Sequence, residues 1–360
     1  GHPMGVKADR AKLLLKQSGG QKIELPPRPK VGILLTNTGT PSGHSYWPMR
    51  RYLEQFLLDK RIIEIPRIIW YLVLYLFILP FRPFKKGKCY EAIWNKEKDE
   101  SSLRTISRNQ ANYLQKALED QGNSSVAVNW AFRYGEPSIA DGISQLKKEG
   151  CDRLVLFPLY PQYSATTTAS MCDAAFEALM KQRHQMAVRT VPAYYRNPVF
   201  IDAIASNIEE RLRKSGDVEV IVVTFHGIPL QYQEKGDPYG YQCHETTQLL
   251  RERLAKGGVT RADLLTSFQS RLGHLEWTKP YTEDLTVELA KSGIKRMAMI
   301  APGFSSDCLE TLEELDMDVR AQFMEFGGEE FVYIPCLNDS AEGIRVLADV
   351  VSNQLVGFEV

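Results

Sequence analysis

From about residue 30 the chain alternates short runs of nearly uninterrupted apolar residues with longer stretches whose apolar positions recur every three to four. The short runs fall at 31–37, 126–133, 153–160, 187–194, 218–226, 262–270, 296–303 and 330–336. Runs such as VEVIVVTF (218–225) and KRMAMIAP (295–302) lack the in-out polarity of a half-exposed strand, so they are predicted as parallel strands buried on both faces. The longer stretches, at 103–120, 139–149, 168–183, 198–214, 243–255, 281–291, 309–326 and 340–354, are predicted as helices. Strand–helix alternation on this scale predicts a doubly wound α/β fold.

Eight strands divide into four and four, with the break near Arg196-Asn197-Pro198. The expected architecture is two Rossmann-like lobes, each a four-stranded parallel sheet flanked by helices, with the active-site cleft between them. Lobe 1 is expected over 30–196 plus 338–355, the last helix packing back onto it, and lobe 2 over 197–337. Residues 1–29 read as a polar arm, of which 1–4 look like a tag remnant.

One stretch breaks the pattern. IIWYLVLYLFILPF (68–81) carries no charge for 14 residues, between Arg67 and Arg82. That is short of the ~20 residues a spanning helix needs. It reads either as a buried core helix or as an exposed hydrophobic lip over 62–84, where Trp70, Tyr71 and Tyr75 suit a boundary between apolar and wet phases.

Charge narrows the function classes. Lys plus Arg and Asp plus Glu both number 44, so no basic excess marks a general nucleic-acid binder. The six cysteines form no CxxC pair, and no secretory or transit segment opens the chain; a reducing cytosol is expected.

In open α/β sheets the site lies beyond the carboxyl ends of the strands. There the sequence places Asn37-Thr38-Gly39, Arg133-Tyr134, Tyr160, His226, and the segment PGFSSDCLETLEELDMD (302–318), which holds six carboxylates from Asp307 to Asp318 without a basic residue. Asp307, Glu310, Glu314 and Asp318, three and four apart, are predicted on one helical stripe. A helix N-terminus favours acids only in its first turn, so the continuation to Asp318 points to oxygen ligands for a divalent metal. Imidazole beside hard carboxylates suits passing Fe²⁺ or Zn²⁺ along, and a greasy lip suits a large flat ligand.

These residues carry a resemblance. TFHGIPLQYQEKGDPYGYQC (224–243), SFQSRLGHLEWTKPYT (267–282) and PGFSSDCLETLEELD (302–316), with NTGTP (37–41), AFRYGEP (131–137) and YPQYSATTTAS (160–170), resemble the ferrochelatases over about residues 30 to 355. The resemblance implies insertion of Fe²⁺ into protoporphyrin IX to form protoheme with release of two protons, the terminal step of heme biosynthesis. It implies His226 and Glu310 as the catalytic and metal-binding pair, expected to face each other across the gap from the two halves of the molecule. It implies Asp307, Glu314 and Asp318 as an acidic path, and Thr38, Arg82, Tyr90, Arg133, Tyr134, Tyr160, Trp277 and Phe304 as porphyrin contacts.

No permanent cofactor is expected. In particular no [2Fe–2S] cluster is, because Ala165 replaces one cluster Cys of the animal pattern. A bacterial-type, cytoplasmic enzyme is expected, peripherally held at the inner membrane, with the preceding heme-pathway enzyme as a further partner. The competing readings are another tetrapyrrole chelatase, for coproporphyrin or cobalt, and a non-catalytic tetrapyrrole or solute binder.

Overall fold

The computed structural model describes residues 3–21 and 30–358, with side chains from residue 9 onward. Each of the eight apolar runs contains a strand. The first sheet is built from β1 (Lys30–Gly39), β2 (Val126–Tyr134), β3 (Cys151–Pro158) and β4 (Ala187–Thr190), in the order β2-β1-β3-β4. The second comprises β5 (Val220–His226), β6 (Asp263–Gln269), β7 (Arg296–Ile300) and β8 (Glu330–Ile334), in the order β8-β7-β5-β6. All neighbours in both sheets are parallel. β4 stops short of the predicted Tyr194: the Val191 amide still donates to the Leu156 carbonyl, but Pro192 has no N–H to continue the ladder.

A common core joins the sheets. Ile33, Leu35, Val155 and Phe157 of the first and Ile221, Val223, Phe225 and Ile300 of the second belong to one buried cluster. Burying each such side chain contributes about 1.5–3 kcal/mol. The helix Ala341–Leu355 packs on both Ser102–Asp120 and Pro198–Ser215, so it bridges the halves as well as returning to the first. Pro198–Ser215 starts where the sequence break was placed. Asn197 Oδ1 accepts from the Val199 and Phe200 amides, and Pro198 takes the first turn, where its missing N–H costs nothing.

The expected polar arm contains a helix, Pro3–Gln17; its remainder at 22–29 lies outside the described residues. The helix Tyr46–Leu57 was not predicted from the sequence.

The charge-free run is neither wholly buried nor wholly exposed. It forms a helix, Arg67–Val73, that continues into a π-helical turn, Leu74–Ile78, and then bends by 66° into Arg82–Ala92. Trp70, Leu74 and Leu79 are buried against Met49, Tyr52, Leu57 and Tyr90. The step from Trp70 to Leu74 is four residues and that from Leu74 to Leu79 is five. The π turn absorbs the extra residue, with the Leu79 amide bonded to the Leu74 carbonyl at 2.8 Å, so the buried stripe stays aligned. The opposite face carries Ile68 (79% exposed) and Phe77 (69%), with Phe81 and Phe84 beyond the bend. Among the described residues no single helix is long and apolar enough to cross a membrane.

The predicted helix over 309–326 is also interrupted. It runs as Leu309–Leu312, a π-helical segment Glu314–Val319, and Arg320–Glu325. Leu315, Val319 and Phe323 face the second sheet's core.

Candidate active site

His226 ends β5 and lies beside Gln269, the last residue of β6. β7, the other neighbour of β5, leads through Pro302-Gly303 to the turn that presents Glu310. His226 and Glu310 therefore both belong to the second half, and the expectation that they come from opposite halves is corrected: Gln269, beside His226, bonds the Glu310 carbonyl. The first half still approaches closely here: a Cβ on Gly303 would lie 3.3 Å from Gln162 Oε1 and 3.4 Å from the Phe225 ring, so Gln162 would have to give way by a few tenths of an ångström.

His226 Nδ1 lies 2.7 Å from the Gly227 carbonyl. A carbonyl only accepts, so Nδ1 carries the proton and Nε2 keeps its lone pair for a proton or a metal. Trp277 stands 6.5 Å from the imidazole between ring centroids. Its loop is fixed to the His226 turn by Thr278 N to Ile228 O and Leu230 N to Glu276 O, both 2.9 Å. The Trp277 indole N–H is buried without a hydrogen-bond partner.

Gln269, which sequence reasoning missed, joins these parts. Its buried amide donates to the Glu310 carbonyl at 3.0 Å and accepts from Thr224 Oγ1 at 3.3 Å. A polar side chain closing an apolar strand was the available signal, as it was for His226.

The first half contributes phenols. Tyr52, Tyr90 and Tyr160 are raised above the ordinary phenol range, chiefly by burial and further by the Glu310 charge. Thr38 and Tyr160 share a hydroxyl–hydroxyl hydrogen bond, and Asn37 Oδ1 accepts from Tyr160 OH at 3.2 Å and from Thr38 N at 2.8 Å. Leu309, beside Glu310, packs in the lip cluster with Tyr52 and Tyr90. Glu310, Tyr90, Tyr160 and Thr38 are thus brought together, as are His226 and Trp277.

Other predicted contacts are engaged in packing. Tyr134 is buried in the lip cluster and, with Ser170, donates to Asp59; Arg133 lies 3.4 Å from the same carboxylate and bonds Ser170. Phe304 is half-buried against the second sheet's core. Arg82 is exposed at the start of the second lip helix.

The single acidic stripe is not realised. Asp307 precedes the helix, is 4% exposed, and accepts from Thr311 Oγ1 (2.8 Å), Asn338 Nδ2 (2.7 Å) and Tyr333 OH. Beyond it the π geometry replaces the expected four-residue step: Asp318 N bonds Glu313 O, five residues back. Burial and then the nearby Asp318 raise the Glu313 carboxyl, while Lys86 opposes them. Among the described residues no three His, Cys, Asp or Glu form a closed metal cage.

Burial, against the opposing Ser270 hydrogen bond, raises the Glu314 carboxyl to about 7. The folded state therefore holds this proton after the unfolded chain has lost it at about 4.3. The resulting stability is fully present below that pH and is lost as the pH rises through about 7. Glu314→Gln is expected to flatten this part of the stability profile. Thermal melts of both proteins from pH 4 to 8 check it, and parallel curves would refute it.

Comparison with known proteins gives a concordant answer. The family model described as Ferrochelatase matches residues 30–355. Proteins named ferrochelatase from Brucella ovis and Brucella abortus are each 53% identical over 331 residues, 92% of this chain and 93% of theirs. Among solved structures, SirB from Bacillus subtilis with Fe³⁺ aligns with a TM-score of 0.51 at 12% identity, over 92% of this chain and 99% of that one. A multi-domain Deinococcus radiodurans protein, described as structurally similar to chelatases, aligns at 0.53 and 11% identity over 89% of this chain and 54% of its own. These two likenesses are of fold.

Proposed function

The chain belongs to the ferrochelatase family, and on that premise we propose how its residues perform the insertion of Fe²⁺ into protoporphyrin in heme synthesis. The observation that carries the reading is that Gln269, the strand partner of His226, holds the Glu310 carbonyl, while His226 Nε2 is free to accept and the Glu310 charge reaches the buried phenols Tyr52, Tyr90 and Tyr160.

Metalation must release two protons from the inner nitrogens of the macrocycle. A flat ring hides those lone pairs, so the site has to hold it bent, at the expense of contacts remote from the metal. Trp277 on one side and Tyr90 and Tyr160 on the other supply rigid aromatic walls. His226 Nε2 takes protons, and the Glu310 carboxylate holds the incoming Fe²⁺ as its waters leave. Glu314, next outward along the acidic segment, hands the metal on. Ala165 occupies one cluster position of the animal pattern, which supports operation without an iron–sulfur cluster.

The lip supports peripheral attachment to an anionic membrane. Residues 46–92 hold nine Lys or Arg against four Asp or Glu in a chain that is neutral overall. Arg51, Lys60, Arg82, Lys85 and Lys88 are exposed beside the apolar face and form no ion pair among the described residues. Each such charge contributes about 1 kcal/mol near an anionic surface. Apolar porphyrin then enters directly from the bilayer, handed on by the preceding pathway enzyme on the cytoplasmic side of the inner membrane.

Parent protein is expected to cosediment with phosphatidylglycerol vesicles and to be released by salt. A Lys85→Glu/Lys88→Glu variant is expected to lose about tenfold or more of this affinity for two reversed charges. A Phe77→Ser/Phe81→Ser variant should bind weakly at any salt concentration. Equal cosedimentation of all three proteins would refute the attachment.

A further inference from the structure

Immediately after Gln269 the backbone turns into the left-handed region: Ser270 has φ +68°. L side chains adopt that conformation reluctantly, and glycine is the usual occupant. A serine here makes one contact that glycine lacks. Its hydroxyl lies 2.8 and 2.7 Å from the two carboxylate oxygens of Glu314. That carboxylate forms no ion pair among the described residues. The dipeptide at the end of β6 therefore grips both turns of the acidic segment, Gln269 by the Glu310 carbonyl and Ser270 by the Glu314 side chain.

We propose that Ser270 is a positioning residue for metal delivery: the left-handed turn after β6 holds its hydroxyl on Glu314 and fixes the direction in which that carboxylate hands a divalent cation to His226 and Glu310. The inference rests on the reading of Glu314 as the residue that passes the metal inward. It assigns Ser270 no contact with the porphyrin and no part in proton transfer.

The test uses the full chain, Zn²⁺ as the probe metal and protoporphyrin fluorescence, with the two substrates varied separately. Ser270→Gly removes the hydroxyl and relieves the backbone, so its melting temperature should equal or exceed the parent's. Its KM for Zn²⁺ should rise about tenfold, the loss of one hydrogen bond to a charged group, while its KM for protoporphyrin holds. Ser270→Ala should show the same split without the gain in stability. Ser270→Asn, which tolerates the left-handed region and restores a donor, should recover most of the Zn²⁺ KM.

An unchanged Zn²⁺ KM in both the Gly and Ala variants overturns the proposal. So does a joint rise in both KM values, which marks a merely structural role. If Glu314→Gln leaves the Zn²⁺ KM at the parent value while Ser270→Gly raises it, the underlying reading of Glu314 fails and the proposal falls with it. If Glu314→Gln raises it and Ser270→Gly does not, only the assignment of Ser270 fails.

Discussion

Replacing His226 by Ala or Glu310 by Gln is expected to abolish metal insertion, with kcat falling at least ~100-fold, while protoporphyrin still binds. Removing a positioned proton acceptor costs about 10²–10⁴ in rate. The imidazole's one hydrogen bond is to the adjacent Gly227 carbonyl, and Glu310 is held through its backbone by Gln269, so neither substitution removes a contact on which the fold depends. Anaerobic absorbance with Fe²⁺ separates turnover from binding. Retained turnover in both variants would end this assignment of the pair.

The largest loss of stability is expected at Asp307, not at the catalytic pair. Asp307→Ala would leave Tyr333 OH and Asn338 Nδ2 without this acceptor, while Thr311 Oγ1 keeps the Cys308 carbonyl. Orphaned buried donors cost about 1–3 kcal/mol each, less whatever repacking recovers, so ~3 kcal/mol is expected in total. On a chain of this size that lowers the melting temperature by ~4 °C. Calorimetry decides between roles: an Asp307 that served only to pass metal would leave the melt unmoved.

These two sites also show what was legible beforehand. His226 stood out as a polar residue at the tip of a buried strand, and the acidic segment because its carboxylates continue past the turn that a helix dipole favours; Glu310 itself was singled out by the resemblance. The strands were legible because burial on both faces strips polar residues from a whole run. The acidic stripe was misread because its spacing assumes 3.6 residues per turn, whereas the Asp318–Glu313 bond spans five. The lip was left open between burial and exposure, and it is both: its buried positions step by four and then by five, and no single period describes it. Gln269 closed an apolar strand as His226 did and was passed over, whereas Ser270 and Asp59 escaped notice because their meaning lies in partners distant in sequence, which neither periodicity nor local spacing reports.

The shared core has a mechanical consequence. Ile33 and Phe157 of one sheet and Ile221 and Phe225 of the other are buried in the same cluster, which leaves no greased plane along which the halves can swing apart. A hinge between them would have to tear that packing open at every turnover. The lip rests on a smaller cluster of its own, and Leu309 is one of its members. A displacement of the lip would therefore be felt at the residue next to Glu310.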